Sequence, residues 1–307
     1  MAASLAIKNL SRNFGALKAI DDLSLEIPEL AVAAFVGANG AGKTTTFSVI
    51  AGFLRANSGT IEISGEDVRA YRRRGGRMGL LPQDVQFYDE RSIYRQLKMF
   101  ALLEGLSGAA ADAEVDRVLE LAHLTEKAKE KPGALSRGMK ARLGVAQALI
   151  GDPPIIILDE PTAGLDPRML AEFRKTIDRL RGRSTIVISS HDLSELETLC
   201  DYVCMIDHGK LVRQGPLREM LGASSTVVYE LESALTGVED IAEKVAPWKV
   251  RLLESNKLEV SFDPREHKAA DVNAALLKIL LESGAAIRNV RSERTLEQSY
   301  FEATDKD

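Results

Sequence analysis

The chain has 307 residues, enough for roughly two domains. Its hydrophobic content of 45% and charged content of 28% are those of a soluble globular protein, and a formal net charge of −5 gives no electrostatic reason to expect nucleic acid as a partner. The longest apolar stretch, Leu30 to Ala38, falls well short of the ~20 residues a membrane helix needs, and Met1 to Leu5 lacks the charged and apolar regions of a signal peptide, so a cytoplasmic protein is expected.

In chain order, Leu5 to Leu10 alternates weakly and predicts an edge strand. Leu23 to Ile27 alternates cleanly and predicts a half-buried antiparallel strand, which Pro28 ends. Leu30 to Val36 is an apolar run of buried-strand length. It leads into Gly37-Ala38-Asn39-Gly40-Ala41-Gly42-Lys43-Thr44, which fits G-x-x-x-x-G-K-[ST], and then into a helix from about Thr44 to Ala51. Asn57-Ser58-Gly59 reads as a turn and Thr60 to Ile63 as a short strand closed by Ser64-Gly65. Arg72-Arg73-Arg74 reads as a solvated loop beside Gly75-Gly76. Met78 to Leu81 is a small buried strand ending at Pro82-Gln83.

From about 86 to 150 the pattern is that of a helical insert in an α/β sheet. Apolar residues at 93, 97, 100 and 103 share one face of a helix from Ser92 to Leu106. Val115, Val118, Leu119 and Ala122 repeat that face, Pro132-Gly133 breaks it, and Ser136 is placed to cap a helix through Ala148. Ile155 to Leu158 is a continuous apolar run, as in a central parallel strand, and it ends in Asp159-Glu160-Pro161. A helix from Leu170 to Leu180, a buried strand from Thr185 to Ile188 ending in Ser189-Ser190-His191, and a helix from Leu193 to Leu199 follow. Tyr202 to Ile206 and Lys210 to Arg213 form a hairpin through His208-Gly209, with His208 a turn residue. Cys200 and Cys204 are spaced for one helical face, but lack companions for a metal site and read as buried thiols.

After Gly222 the character changes. Ala223-Ser224-Ser225 reads as a linker. Strands at Thr226 to Leu231, Trp248 to Leu253, Lys257 to Phe262 and Ala286 to Val290, with a helix at Ala269 to Leu281, suit a small α+β accessory domain. The expected division is a first domain at 1–222, holding the glycine-rich loop and the helical insert, and the accessory domain at 223–307.

The loop at 37–44 has the chemistry of phosphate binding. Gly37, Gly40 and Gly42 allow positive φ and close backbone approach, so that backbone N–H groups turn inward. Lys43 supplies charge to the β- and γ-phosphates and Thr44 a hydroxyl to Mg²⁺. The following helix points its positive end at the phosphates. Asn39, Ala41 and Thr45 complete the nucleotide-binding set on this loop. In a doubly wound sheet, three strand ends converge here, carrying Gly37–Thr44, Asp159-Glu160 and His191. Asp159 suits holding Mg²⁺ through water, Glu160 orienting and deprotonating the attacking water, and His191 hydrogen-bonding the γ-phosphate. Together they predict phosphoryl transfer from a nucleoside triphosphate to water.

With these residues the sequence resembles the ATP-binding subunits of ABC transporters, over about residues 4 to 222. Gln83, in Leu81-Pro82-Gln83-Asp84, stands at the family's Q-loop glutamine, which assigns it a catalytic and metal-facing place. Leu135-Ser136-Arg137-Gly138-Met139 stands at the signature, usually L-S-G-G-Q. Ala163-Gly164-Leu165-Asp166 matches the D-loop, and Phe14, before Gly15, sits where an aromatic ring stacks on adenine. The resemblance implies a P-loop ATPase core with an antiparallel β subdomain and a helical insert. It also implies a head-to-tail pair, made with a second copy or a related ATPase chain, enclosing two ATPs. Each ATP then lies between one phosphate loop and the other copy's signature, so Ser136, Gly138 and Asp166 become nucleotide-facing. The further implied partner is a transmembrane permease, reached through the insert and the Q-loop, which would hold the chain on the inner face of the membrane.

The signature departs from the pattern where Arg137 replaces the first glycine and Met139 the glutamine. Ser136 and Gly138 are kept, so a competent site is expected. Phe100-Ala101-Leu102-Leu103-Glu104-Gly105-Leu106 resembles a segment of drug, lipid and polysaccharide exporters. The Arg-Gly-Met-Lys variant and Thr295-Leu296-Glu297-Gln298-Ser299-Tyr300-Phe301 resemble the same branch. Export is the expected direction. The alternatives are an importer ATPase with a C-terminal regulatory domain and a non-transport ABC ATPase, whose coiled coils, zinc modules or second ATPase half this sequence lacks.

Overall fold

The computed structural model describes residues 3–221, 226–235, 237–262, 266–267, 269–292, 296, 300 and 303–304. One compact unit ends at Leu217 and a second begins at Arg218. The expected linker at Ala223-Ser224-Ser225 and most of the segment Thr295 to Phe301 lie outside the described residues.

The first unit opens with an antiparallel sheet of β1 (Ala3–Phe14), β2 (Leu17–Pro28), β4 (Ser58–Ile63) and β5 (Glu66–Asp67), in the order β2-β1-β4-β5. Leu5, Ile7, Leu10, Leu23, Leu25, Ile27, Ile61 and Ile63 turn into one core. The first strand was expected at an edge and instead pairs on both sides. Its weak alternation comes from a bulge, with Asn9 at φ 49° and the register shifting between Ile7 and Leu10. Gly59 answers that bulge from the neighbouring strand. It has φ +89°, and a Cβ there would lie 2.5 Å from the Asn9 carbonyl oxygen. Asn57-Ser58-Gly59 therefore enters β4 rather than turning. The arginines at 72–74 also depart from expectation, because Asp67 accepts from the N–H groups of Arg69 and Ala70 and caps a short helix, α2 (Val68–Arg73). The Arg72 guanidinium is half-buried there and donates to the carbonyl of Ile50.

The central sheet has the order β10-β9-β3-β8-β7-β6. It is built from β3 (Val32–Val36), β6 (Gly79–Leu81), β7 (Ile155–Asp159), β8 (Thr185–Ser189), β9 (Tyr202–Asp207) and β10 (Lys210–Pro216). All neighbours are parallel except the β9–β10 hairpin, whose turn holds His208 and Gly209 at positive φ. Every residue of β3, β7 and β8 is buried, as continuous apolar runs in a covered parallel sheet require. Around it stand α1 (Lys43–Ile50), α6 (Pro167–Leu180) and α7 (Leu193–Leu199). Cys200 caps α7 and Cys204 lies in β9, so they share no helical face. Both are buried free thiols, and burial pushes the Cys204 thiol up to about 12.

The helical insert comprises α3 (Ile93–Leu103), α4 (Gly108–Leu121) and α5 (Arg137–Ala148). The inward stripe of α3 is Ile93, Gln96, Leu97 and Ala101, whereas Leu103, expected on it, is 76% exposed because the helix ends there. Ser136 caps α5 as expected, its Oγ accepting from the Met139 N–H.

The second unit begins in α8 (Leu217–Leu221) and carries an antiparallel sheet in the order β12-β13-β11-β14. Its strands are β11 (Thr226–Leu231), β12 (Lys249–Glu254), β13 (Lys257–Ser261) and β14 (Ile287–Ser292). Two helices, α9 (Val238–Lys244) and α10 (Ala269–Glu282), accompany it. Val227, Tyr229, Leu231, Leu258, Val260, Val272, Leu276 and Leu280 make its own core. Each such side chain contributes about 1.5–3 kcal/mol of burial, and the Tyr229 hydroxyl donates to Asn273 Oδ1 at 2.7 Å.

Candidate nucleotide-binding site

The phosphate loop joins the end of β3 to the start of α1. Gly42 has φ 104° and caps the helix, and a Cβ on it would lie 2.5 Å from the carbonyl oxygen of Ala19. Gly40 has φ 86° with open space around it. Gly37 differs from expectation, since it is absent from the positive-φ residues. It is needed because a Cβ there would lie 2.6 Å from the Ile206 carbonyl oxygen on the neighbouring strand. Thr46 Oγ1 donates to the Gly42 carbonyl at 2.8 Å and fixes the first turn. No acidic residue sits in that turn, so the positive end of the helix dipole is uncompensated.

Lys43 is 7% exposed and its ammonium donates to the carbonyls of Gly37 at 2.6 Å and Ala38 at 3.3 Å. Burial pulls its pKa below the ordinary lysine value, while the carboxylates of Glu160 and Asp159 oppose the shift. The loop opens on a cleft of about 380 Å³ whose lining includes Phe14, Asn39, Lys43, Gln83, Glu160 and His208. Gly40, Gly42, Thr44 and Thr45 also line it. Phe14 is 44% exposed. The Arg12 guanidinium stacks 4.6 Å from its ring centroid and is tethered by a 3.1 Å bond to the Arg55 carbonyl. Phe14 lines the cleft and Arg12 does not.

The acidic pair arrives on β7. Asp159 is 3% exposed and, by parallel register, stands beside Ser189 on β8. Ser189 Oγ donates to Asp159 Oδ1 at 2.6 Å and accepts the Glu160 N–H at 2.9 Å. Glu160 has φ 52°, rare for a residue with a side chain, and its Oε2 lies 2.7 Å from His191 Nδ1 and accepts the His191 N–H at 3.3 Å. A carboxylate only accepts, so Nδ1 carries the hydrogen of that ring contact. Sequence reading missed Ser189, because its role follows from the pairing of strands 30 residues apart. Among the described residues no group of three or more His, Cys, Asp or Glu could hold a metal. The oxygens of Asp159 and Thr44 nevertheless suit Mg²⁺, a hard ion that takes one or two protein oxygens and fills its sphere with water and phosphate.

Ser136, Gly138 and Asp166 do not line this cleft. The α5 N-terminus packs on the segment leading into α6, where the Met169 sulfur occupies the space a Cβ on Gly138 would need and the Arg137 guanidinium covers Gly164. Asp166 caps α6, its Oδ1 accepting from Arg168 and Met169 N–H at 2.9 Å each.

Residues 20–163 match the family described as ABC transporter. The chain is 36% identical over 237 residues to the uncharacterized ABC transporter ATP-binding protein YhcH of Bacillus subtilis, covering 76% of each chain. It is 35% identical over 255 residues to the Nod factor export ATP-binding protein I of Cupriavidus metallidurans, covering 80% of this chain and 83% of that one. A solved structure from Clostridium perfringens, part of an ABC transporter complex, superposes with a TM-score of 0.64 at 28% identity over 71% of this chain and 90% of that one. Of the acidic pair and the histidine, Glu160 alone lines the cleft with the phosphate loop, while Asp159 is buried beside it and His191 is held through the Glu160 carboxylate. With this likeness and that arrangement, the chain belongs to the ABC transporter ATP-binding proteins and is an ATP hydrolase.

Proposed function

We propose that this chain drives export through a separate transmembrane permease, paired with a second copy or a related ATPase chain. The observation that carries the hydrolytic part is that Lys43 and Glu160 line one cleft, with His191 bonded to the Glu160 carboxylate. Lys43 exchanges its carbonyl partners for phosphate oxygens, and the N–H groups of the loop and of the α1 N-terminus face the same charge. Thr44 and Asp159 would hold Mg²⁺, which neutralises charge developing on the phosphates. Glu160 takes the proton from the attacking water, with His191 fixing one of its oxygens. Gln83 senses occupancy from the cleft wall. Ser136, Gly138 and Asp166, which lie off this cleft, serve the nucleotide of the partner chain.

Export is supported by the relative named for Nod factor export, of which the chain covers 83%. No described helix is long and apolar enough to cross a membrane, and the permease supplies that part. The segment from Gln83 to Leu106 is the proposed route of coupling. Buried Gln96 accepts from the Tyr88 N–H and donates to the carbonyls of Tyr88 and Arg91, which stiffens the turn after Gln83. Tyr88 itself is 59% exposed. Residues 1–222 and 223–307 are read as the ATP-binding and accessory domains. The test is purification from native membranes. Stoichiometric recovery of a multi-span membrane protein that stimulates ATP hydrolysis, weakened by Tyr88→Glu without loss of basal hydrolysis, is expected. Recovery with soluble partners alone, and no stimulation, contradicts the transport reading.

A further inference from the structure

We infer that Ser189 is a positioning residue for hydrolysis, one hydroxyl that sets the metal-facing carboxylate of Asp159 and the base Glu160 in place together. This rests on the hydrolytic site described above. Parallel register puts Asp159 and Ser189 side by side at the ends of β7 and β8, and Ser189 is fully buried. A serine hydroxyl has one hydrogen and two lone pairs. The hydrogen goes to Asp159 Oδ1 at 2.6 Å, a charge-assisted length. A lone pair takes the Glu160 N–H at 2.9 Å. Asp159 Oδ1 is thereby committed, and Oδ2 remains for the metal side. The same hydroxyl satisfies the N–H of a residue held at φ 52°, the backbone bend that carries the Glu160 carboxylate to His191. The adjacent serine is used differently, since Ser190 Oγ accepts from the Asp192 N–H ahead of α7. Metal holding and base placement therefore share a single hydrogen-bonding group.

Ser189→Ala removes the donor to Asp159 and the acceptor of the Glu160 N–H at once. We expect kcat to fall about 10- to 100-fold, and Mn²⁺ affinity, read by electron paramagnetic resonance with ADP present, to fall about tenfold. ATP binding in EDTA rests on Lys43 and the loop backbone and should stay within about twofold. Ser189→Thr keeps the hydroxyl and should recover kcat to within about threefold, whereas Ser189→Cys, close in shape but a weak donor, should keep the alanine defect. The inference is overturned by parental kcat and Mn²⁺ affinity in Ser189→Ala or by parental kcat in Ser189→Cys. It is equally overturned by a folded Ser189→Thr that recovers nothing, or by loss of EDTA binding as large as the loss of Mn²⁺ affinity. A parent chain that releases no phosphate from Mg-ATP would instead remove the hydrolytic reading itself.

Discussion

Lys43→Met separates what the phosphate loop does for the nucleotide from what it does for the fold. The ammonium is nearly enclosed and held by the carbonyls of Gly37 and Ala38. Its pKa is pulled down first by desolvation, so folding disfavours its charged form. The unfolded chain then binds the proton more tightly, and the stability of the parent rises as pH climbs through the lowered folded pKa toward the ordinary 10.5. Methionine keeps the stem without the charge. At neutral pH and without nucleotide the variant should therefore be no less stable than the parent, and any advantage should shrink as pH rises. Nucleotide affinity moves the other way. One charge-assisted contact to phosphate is worth about 1.5–3 kcal/mol, or roughly 10- to 150-fold in Kd. Calorimetric titration with ATP and thermal unfolding between neutral and alkaline pH measure the two effects. Unchanged ATP affinity would refute the placement of Lys43 at the phosphates. An unliganded variant melting several degrees lower at neutral pH would refute the claim that desolvation dominates its energetics.

Gly42→Ala places a Cβ at 2.5 Å from the Ala19 carbonyl at φ 104°. It should cost about 1–3 kcal/mol in thermal or urea unfolding and weaken ATP binding in titration. Phe14→Ala should raise KM for ATP with little change in kcat, by a stacking loss of about 1–3 kcal/mol. Arg12→Ala, acting through the ring, should do the same more weakly in steady-state assays. Truncation after Gly222 should leave a folded chain that binds ATP in calorimetry, since the second unit has its own core. Insoluble or nucleotide-blind protein would contradict that division.

The phosphate loop, the acidic pair and His191 were legible in sequence because each lies at the end of a continuous apolar run and carries its chemistry in adjacent residues. Ser136 was legible as a cap because capping is local. What was not legible depends on pairing across distance. Gly59 looks like a turn glycine until the bulge at Asn9 on the adjacent strand is known. Asp67 overrides the reading of three arginines as a loop by capping α2. Gly37 needs its missing Cβ because of Ile206, far along the chain, and not for its φ. Ser189 and Arg12 acquire roles only through strand register and ring stacking. Among the described residues the short helix α9 went unread, its first turn bearing Glu239 and Asp240 at the positive end of the dipole.

The most direct test of the account is Glu160→Gln, followed by phosphate release and by size-exclusion chromatography with light scattering. Glutamine keeps the backbone N–H that Ser189 holds and the reach toward His191, and leaves Asp159 and Lys43 in place. It cannot take a proton from water, and loss of a general base costs about 10²–10⁴ in rate. The account predicts normal ATP binding, slowed hydrolysis, a monomer without nucleotide or with ADP, and a stable pair with Mg-ATP. Hydrolysis at the parental rate would contradict the role of Glu160. Slow hydrolysis with no pair would contradict the self-pairing of this chain through its altered signature and point to a different ATPase partner.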